Sequence, residues 1–268
     1  MPVDITELEA ARDLAVRLAI EAGVLQVRTR GSITGLTTKA HANDLVSDVD
    51  IASERLIVDG ILAAYPADGI FGEEGNRVDG TSGRLWVIDP LDGTRNYLTG
   101  AGPWSVSIAL REGGNGLVGV VHDPLLGETF GAVAGAGATL NSQPIRVTDA
   151  DSLGKAIVGL CFQPSPETKR QMAGIISGLL PVIGDIRRIP AAVCLCYLAA
   201  GRFDGCLVVD TQSYDVAAGE LIAREAGAVL GGVAGKTPNE LTVGSGAPVW
   251  DEFAAVLGPL IGTVSFFG

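Results

Sequence analysis

An apolar run that ends in two carboxylates constrains the fold of this chain more than any other stretch. The apolar residues 86–88 lead into Asp89 and Asp92, and Gly93 and Thr94 follow at once. This pattern predicts a buried strand that carries acids at its carboxyl end and then turns into the start of a helix. Carboxylate oxygens are ligands for hard divalent cations, and the unpaired N–H groups of a helix start bind anions. The stretch therefore predicts a cation and a phosphate side by side, with an ordinary capped turn as the structural alternative.

Two further acidic clusters lie where predicted elements begin or end. Glu73 and Glu74 follow the short apolar run 69–71, and adjacent carboxylates at a strand end repel each other unless a cation or solvent surrounds them. Downstream, Asp215 precedes apolar residues that are spaced for a helix packed on a core. A solvated acidic loop and a helix N-cap are the structural alternatives for these two clusters.

Together with an upstream segment, these motifs resemble the inositol monophosphatase family of magnesium-dependent, lithium-sensitive phosphatases. The segments that carry the resemblance are Gly72-Glu73-Glu74, Asp89-Pro90-Leu91-Asp92-Gly93-Thr94, Tyr214-Asp215-Val216-Ala217-Ala218-Gly219, and Lys39 with Asp44-Leu45-Val46-Ser47 and Asp50. They occur in the family's order and cover most of the chain. Phosphatases of the haloacid dehalogenase type also have Asp-Gly-Thr after an apolar strand, but their nucleophilic Asp would fall at Pro90, which has no carboxylate.

The resemblance implies a metal site with two to three Mg²⁺ ions, and it implies inhibition by Li⁺. The implied metal ligands are the side chains of Glu73, Asp89, Asp92 and Asp215 and the backbone carbonyl of Leu91. Because only a carbonyl oxygen is needed from Leu91, its apolar side chain is compatible with this role. Such ions would bring positive charge to a carboxylate-rich pocket, and that charge would allow an acidic protein to bind an anionic phosphate.

The resemblance also implies how the reaction proceeds. Thr94 would orient the attacking water, with its hydroxyl polarised by Asp50, and Lys39 and Asp44 would belong to a flap that closes over the metals. The residues implied to contact the phosphate and the substrate are Gly93, Thr94, Asp92, Ala191 and Asp215. The implied activity is hydrolysis of a small phosphorylated metabolite by metal-activated water.

The substrate pocket departs from the family pattern at three positions. Members that hydrolyse inositol phosphates usually carry a Glu seven residues before the C-terminal Asp, and this position is Val208 here. Asp210, two residues later, is the candidate for a replacement contact. Pro190, which offers no N–H, replaces a Ser or Thr, and Tyr214 replaces a Trp. An inositol monophosphate-like polyol or a sugar phosphate is the expected substrate. Histidinol phosphate, fructose 1,6-bisphosphate and a nucleotide such as 3′-phosphoadenosine 5′-phosphate stay open, as does a non-catalytic regulatory protein on this scaffold.

The pattern of apolar residues predicts an α+β fold. Helices are expected over 6–27 and from Ser47 to just before Pro66, and Ser47 followed by Asp50 resembles a capping box at the start of the second helix. Short strands follow near Ile70 and over 85–88, 104–110, 117–122 and 128–134, and the turns between the last three predict an antiparallel meander. After about Leu153 strands and helices alternate, which implies an α/β layer. The predicted segments are strands over 156–160, 186–189 and 205–209 and helices over 166–180, 191–200 and around Asp215. The resemblance implies a layered α/β sandwich with subdomains 1–150 and 151–268 and the site between them.

Composition and charge limit the partners of the chain. A net charge of −12 argues against nucleic acid or an anionic membrane surface as a general partner. The four cysteines are in apolar surroundings without a paired metal motif, which predicts reduced thiols and a cytoplasmic location. No signal peptide and no membrane-spanning segment is expected. A small phosphorylated metabolite is the predicted partner, and the resemblance implies a homodimer.

Overall fold

The first half of the chain forms helices and an eight-stranded sheet. The computed structural model describes residues 4–30, 37–38, 45–163, 165–233, 241–261 and 264–266. The helices of this half are α1 (Ile5–Thr29), α2 (Asp48–Ala64) and α3 (Thr94–Thr99). Its strands are β1 (Thr37–Thr38), β2 (Leu45–Val46), β3 (Gly69–Gly72), β4 (Arg77–Val78), β5 (Arg84–Asp92), β6 (Ser105–Glu112), β7 (Asn115–Asp123), β8 (Glu128–Val133), β9 (Ala138–Leu140) and β10 (Gln143–Ile145).

The eight strands follow the order β10-β9-β8-β7-β6-β5-β3-β4, and β1 pairs with β2 separately. Strands β5 to β10 form an antiparallel meander, whereas β3 runs parallel to β5. The meander over β6, β7 and β8 confirms the sequence prediction. At the β9–β10 turn Asn141 and Ser142 adopt positive φ, a conformation that Asn tolerates well.

The second half alternates helices with a six-stranded sheet. Its helices are α4 (Pro166–Leu179), α5 (Ala191–Ala199), α6 (Ser213–Glu225) and α7 (Ala247–Ile261), and a short 3₁₀ turn covers Leu153–Lys155. Its strands are β11 (Ile157–Phe162), β12 (Asp185–Arg188), β13 (Gly205–Val209), β14 (Val229–Val233), β15 (Leu241–Ser245) and β16 (Val264–Phe266). The order is β12-β11-β13-β15-β14-β16, with β12, β11 and β13 parallel. The predicted alternation is confirmed up to α6; the sequence analysis assigned none of the elements that follow it.

Alternation of side chains along central strands organises the molecule into layers. In β5, Trp86 and Ile88 pack against α1 and α2, whereas Val87 faces the opposite way, toward α5 and α6, as the two-residue repeat of a strand requires. In β13, Val208 joins the α5–α6 layer and Leu207 packs with α4 and α7. The layers are therefore helix, sheet, helix, sheet and helix, which confirms the predicted α+β sandwich. The division into subdomains at residue 150 stays a prediction.

Helix α2 begins at a capping box that the sequence indicated. Ser47 is the N-cap residue, and its backbone N–H donates to Asp50 Oδ2 at 2.9 Å. In return, the backbone N–H of Asp50, the third helical residue, donates to the side chain of Ser47. The two bonds satisfy backbone N–H groups that a helix start leaves unpaired. Asp50 is thereby fixed on the buried side of the helix, at 1% exposure.

Exposure of the cysteines differs from the sequence prediction at one position. All four are free thiols, and Cys194, Cys196 and Cys206 are buried, as expected. Cys161 is half-buried instead, because it lies in the penultimate position of β11 at the mouth of a cavity. Among the described helices, none combines the length and apolarity that a membrane span requires.

A buried amide joins α1 to the end of β5. Gln26 is fully buried, and its Nε2 donates to Pro90 O at 2.7 Å and to Ser53 Oγ at 3.2 Å. Its Oε1 accepts from Trp104 Nε1 at 3.0 Å. One side chain therefore satisfies polar groups from α2, β5 and the segment before β6. No local sequence pattern indicates this role of Gln26.

Replacing Gln26 with Leu should destabilise the fold while keeping the side-chain volume similar. The variant leaves the Trp104 N–H and the Pro90 carbonyl buried without partners, and each such group costs about 1–3 kcal/mol. We expect the free energy of unfolding to fall by roughly 2–5 kcal/mol, measured by urea denaturation. Glu9→Leu, at an exposed position of the same helix, is the control and should change it by less than about 0.5 kcal/mol. Equal effects of the two variants would contradict the role of Gln26.

Candidate metal centre

An irregularity in β5 places two acidic side chains in one cluster. Residues three apart on a regular strand point to opposite faces, so Asp89 and Asp92 would diverge. The pairing of β5 with β6 shifts register between these two residues, at Pro90, which has no N–H for the ladder. The N–H of Leu91 donates instead to Asp89 Oδ1 at 2.9 Å. The bulge therefore turns both carboxylates toward the same cavity.

A third carboxylate joins this pair from the other half of the chain. Asp215 lies in the first turn of α6, where its Oδ2 accepts from the N–H of Gln212 at 2.7 Å. One carboxylate oxygen each of Asp89, Asp92 and Asp215 lies within 4.8 Å of the others. The side chains are only 1%, 9% and 7% exposed. The N-cap residue of α6 is therefore Gln212 rather than Asp215, and Asp215 is its capping-box partner as well as a member of the acidic cluster.

Burial and mutual repulsion set the protonation of the cluster. Burial is the largest cause that raises the pKa of Asp89 well above its usual value, and the charges of Glu73, Asp92 and Asp215 raise it further. Burial likewise raises the pKa of Asp92, followed by the charge of Asp215. The N–H of Ala192 at the start of α5 donates to Asp92 Oδ2 at 2.8 Å and opposes this shift.

The polar atoms of the cluster fit a divalent cation. Among the described residues, Asp89 Oδ2 has no hydrogen-bond partner although it is buried. The negative charge of Glu73 also acts on the Asp89 carboxyl, so the two acidic side chains repel each other when both are ionised. A cation would offset this repulsion and would bind the unpartnered oxygen. Oxygen donors alone favour a hard ion such as Mg²⁺ over Zn²⁺.

Two further residues expected to bind metal lie beside the cluster of three. Glu73 follows β3, its N–H donates to the carbonyl of Ile88 at 3.1 Å, and it lines the cavity. Leu91 lines the same cavity, and its carbonyl accepts from Thr94 Oγ1 at 3.2 Å while its side chain is buried. The structure thus brings all five expected ligands to one cavity. Their roles as ligands stay predictions.

The predicted pair of Thr94 and Asp50 is in contact. Thr94 Oγ1 lies 3.2 Å from Asp50 Oδ1 and also 3.2 Å from the carbonyl of Leu91. Burial raises the pKa of Asp50, the hydrogen bonds from Ser47 lower it, and the nearby charge of Glu73 raises it. The hydroxyl therefore has two acceptors, and its own lone pairs remain available toward the cavity.

Glu54 supports the site and was missed by the sequence analysis. It is fully buried, and its carboxylate accepts from the N–H groups of Glu74 at 2.8 Å and Asn76 at 3.1 Å. Asn76 Nδ2 donates to it as well, at 2.7 Å. These bonds hold the loop that carries Glu73. The position of Glu54, one helical turn after Asp50, is the signal that could have indicated its orientation.

The cavity that contains the cluster has a volume of about 600 Å³. Its lining residues from the first half are Glu73, Asp89, Leu91, Asp92, Gly93, Thr94, Arg95 and Asn96. Those from the second half are Cys161, Phe162, Gln163, Lys169, Arg188, Ile189, Pro190, Ala191, Thr211 and Asp215. All residues expected to contact phosphate or substrate are therefore present, whereas Lys39 and Asp44, the expected flap residues, lie outside the described residues.

Glycine is required at position 93. Its φ is 95°, and a Cβ there would lie 2.7 Å from Pro190 Cγ. Side chains other than hydrogen would therefore both strain the backbone and collide with the opposite wall. The close approach of Gly93 and Pro190 closes one side of the cavity.

The two positions considered for polyol contacts lie away from this lining. Val208 is fully buried in the core between the sheets. Asp210 has a positive φ of 57°, and its Oδ2 accepts from Thr168 Oγ1 at 2.6 Å, which joins β13 to the first turn of α4. Asp210 was considered as a replacement contact for the missing Glu; its carboxylate is engaged in this structural bond.

Comparison with known proteins places this geometry in a family. The model of the inositol monophosphatase family matches residues 7–258. The Nus factor SuhB of Vibrio cholerae is 39% identical over 229 residues, which cover 84% of this chain and 86% of that protein. A crystal structure of the extragenic suppressor protein SuhB from Bartonella henselae has a TM-score of 0.87 at 30% identity and covers 92% of this chain and 98% of that one.

An inositol monophosphatase (IMPase) structure from Thermotoga maritima is similar as well. Its TM-score is 0.83 at 32% identity, and the match covers 92% of this chain and 96% of that one. The family match extends over nearly the whole sequence and includes every acid of the cluster. This chain belongs to the inositol monophosphatase family.

Proposed function

We propose that the protein is a Mg²⁺-dependent phosphomonoesterase that hydrolyses a small phosphorylated metabolite. The observation that carries this proposal is the buried cluster of Asp89, Asp92 and Asp215 beside the hydrogen-bonded pair of Thr94 and Asp50. A protein that only binds a partner has no use for three buried carboxylates at this cost in desolvation. Membership of the family and the similarity to the Thermotoga maritima IMPase support the same activity.

The cluster supplies the charge that phosphate hydrolysis needs. Bound Mg²⁺ neutralises phosphoryl oxygens and lowers the pKa of a bound water. Asp89, Asp92 and Asp215 would hold the metal, and Glu73 and the carbonyl of Leu91 would complete the ligand set. We propose two to three ions per site, with Li⁺ as an inhibitor.

Thr94 and Asp50 orient the nucleophile. The Thr94 hydroxyl donates to Asp50 Oδ1, so that its oxygen accepts a hydrogen bond from the attacking water. Asp50 holds the hydroxyl in this orientation because Ser47 fixes its carboxylate from the other side. The water is thereby aligned before the phosphate ester arrives, which reduces the entropic part of the barrier.

Backbone groups at the walls of the cavity bind the phosphate and the rest of the substrate. The N–H groups of Gly93 and Thr94 would contact the phosphoryl oxygens, and Asp92 and Asp215 would hold the metal beside them. Ala191, at the start of α5, contacts the leaving group. An inositol monophosphate-like polyol or a sugar phosphate is the proposed substrate, and histidinol phosphate, fructose 1,6-bisphosphate and 3′-phosphoadenosine 5′-phosphate are the alternatives.

A regulatory function is the second candidate, because the similar protein of Vibrio cholerae bears the name Nus factor. A regulatory role is compatible with catalysis and does not itself need the acidic cluster. Metal-dependent turnover separates a regulator without activity from an enzyme. A homodimer and a cytoplasmic location remain predictions.

Replacing Asp89 with Asn should abolish turnover without damaging the fold. We expect Mg²⁺-dependent kcat to fall by more than about 10²-fold. Because burial raises the pKa of Asp89, its ionised form destabilises the metal-free fold at pH values above the unfolded-state pKa. The amide removes this penalty, so the melting temperature in EDTA should stay equal or rise.

Asp123→Asn is the matched control for this variant. Asp123 is fully buried and also has a carboxylate oxygen without a partner among the described residues, but it does not line the cavity. Turnover should stay within about threefold of the unmodified protein. Near-normal activity of Asp89→Asn would contradict the metal-site assignment.

Replacing Thr94 with Ala should lower kcat by roughly 10²–10⁴-fold and leave the Mg²⁺ concentration for half-maximal activity within about threefold. The reason is that the hydroxyl orients the water without supplying a metal-binding charge. Thr94→Ser retains the hydroxyl and should recover most of the activity. Steady-state kinetics with varied Mg²⁺ measure both quantities, and an unchanged kcat in Thr94→Ala rejects the role.

Phosphate release from a panel of metabolites tests the activity itself. The panel contains inositol 1-phosphate, histidinol phosphate, fructose 1,6-bisphosphate, AMP and 3′-phosphoadenosine 5′-phosphate, each with Mg²⁺, with EDTA, and with Mg²⁺ plus Li⁺. We expect turnover of at least one compound that EDTA abolishes and Li⁺ reduces. Absence of turnover for all five, with Mg²⁺ bound in a calorimetric titration, would favour the regulatory candidate.

A further inference from the structure

Two cationic side chains line the cavity from the second half of the chain, and Arg95 of α3 lines it from the first half. Lys169 lies in the first turn of α4, and Arg188 is the last residue of β12. Both are exposed, so each can reach a ligand in the cavity. The metal site uses neither of them.

The topology explains why these two residues meet at the cavity. Strands β11, β12 and β13 run parallel, and α4 connects β11 to β12. The carboxyl ends of the three strands and the start of α4 therefore share one edge of the sheet, where ligands of α/β layers bind. Asp215 follows β13 at the same edge.

Local contacts turn Arg188 toward the cavity. Its guanidinium carbon lies 4.4 Å from the centre of the Phe162 ring, and its Nη2 donates to the carbonyl of Phe162 at 3.2 Å. The preceding residue, Arg187, forms an ion pair with Asp185 at 2.6 Å instead and does not line the cavity. Arg188 is thus held in place by a ring and a carbonyl, which leave its positive charge uncompensated.

No described acid compensates these charges. Within the described part of the chain, neither Lys169 nor Arg188 forms an ion pair, and Asp215 is the single acid among the cavity-lining residues after 150. Val208, at the position where inositol-hydrolysing relatives would place a Glu, is buried in the core. The outer wall of the cavity therefore presents positive charge and hydrogen-bond donors to whatever is attached to the scissile phosphate.

We propose that Lys169 and Arg188 form a second anion subsite and that, among the candidate substrates, the preferred one carries a second phosphate group in place of a singly phosphorylated polyol. This inference rests on the proposed function in one respect, namely that the acidic cluster binds the phosphate group that is cleaved. The guanidinium binds two phosphate oxygens at once, and the ammonium adds a flexible point charge. The bulk of the substrate spans the cavity between the acidic cluster and this pair.

Matched pairs of compounds test this subsite. Fructose 1-phosphate is compared with fructose 1,6-bisphosphate, and AMP with 3′-phosphoadenosine 5′-phosphate, by kcat and KM with Mg²⁺ and by calorimetric dissociation constants. The variants are Lys169→Ala, Arg188→Ala and the double variant. Arg170→Ala and Arg187→Ala are the controls, because they remove a neighbouring cation that does not line the cavity.

We expect kcat/KM to favour the bisphosphate by at least about tenfold in one pair or both. Each single variant should lower kcat/KM for that bisphosphate about tenfold, mainly through KM, and the double variant more. In the same variants, kcat/KM for the singly phosphorylated compound of the pair should change less than about threefold. The two control variants should leave the preference for the bisphosphate intact. Added salt should reduce the preference as well, since both cations are exposed.

Two results would overturn the subsite. The first is turnover in which kcat/KM does not favour the bisphosphate in either pair. The second is an equal loss of kcat/KM for both members of a pair in Arg188→Ala, because that would indicate a general attraction of anions. If no compound releases phosphate, the proposed function fails. The dissociation constants then decide the subsite alone: tighter binding of the bisphosphate that Arg188→Ala abolishes supports it, and equal binding rejects it.

Discussion

The repulsion between three buried carboxylates is the constraint on which the rest of the structure depends. Asp89, Asp92 and Asp215 come within 4.8 Å of one another in surroundings that raise the pKa of the first two. Such a cluster is unfavourable in a metal-free protein, because burial penalises each charge and the neighbours add to the penalty. The protein retains it through rigid support: a bulge, a helix start and a capping box hold the three side chains separately.

The layered packing provides that support. Strand β5 is buried on both faces, with Trp86 and Ile88 against the α1–α2 layer and Val87 against the α5–α6 layer. Its end therefore cannot move away when the carboxylates repel each other. Gln26 fixes the bulge from one side through Pro90, and the N–H of Ala192 fixes Asp92 from the other. Each of the two helix layers that flank β5 thus contributes one hydrogen bond to the same short segment.

The cavity lining carries both signs of charge. The first half of the chain contributes most of the acidic cluster and Arg95, and the second half contributes Asp215, Lys169 from α4 and Arg188 from β12. With the proposed metal bound, the cavity would attract anions although the protein as a whole has a net charge of −12. The proposed function and subsite would thus link the choice of substrate to residues outside the metal site.

The sequence by itself determined the longer helices and strands up to α6, the Ser47–Asp50 cap and the identity of the acids, because helical periodicity, strand alternation and motif order are local properties. Only the tertiary structure decided how these residues are supported. Gln26 bonds to a residue 64 positions away and Asp92 to one 100 positions away, so no local pattern indicates these contacts. The direction of Arg188 rather than Arg187 toward the cavity likewise depends on the neighbouring strand. Periodicity shows which face of an element is apolar, and the packing of distant elements decides what that face meets.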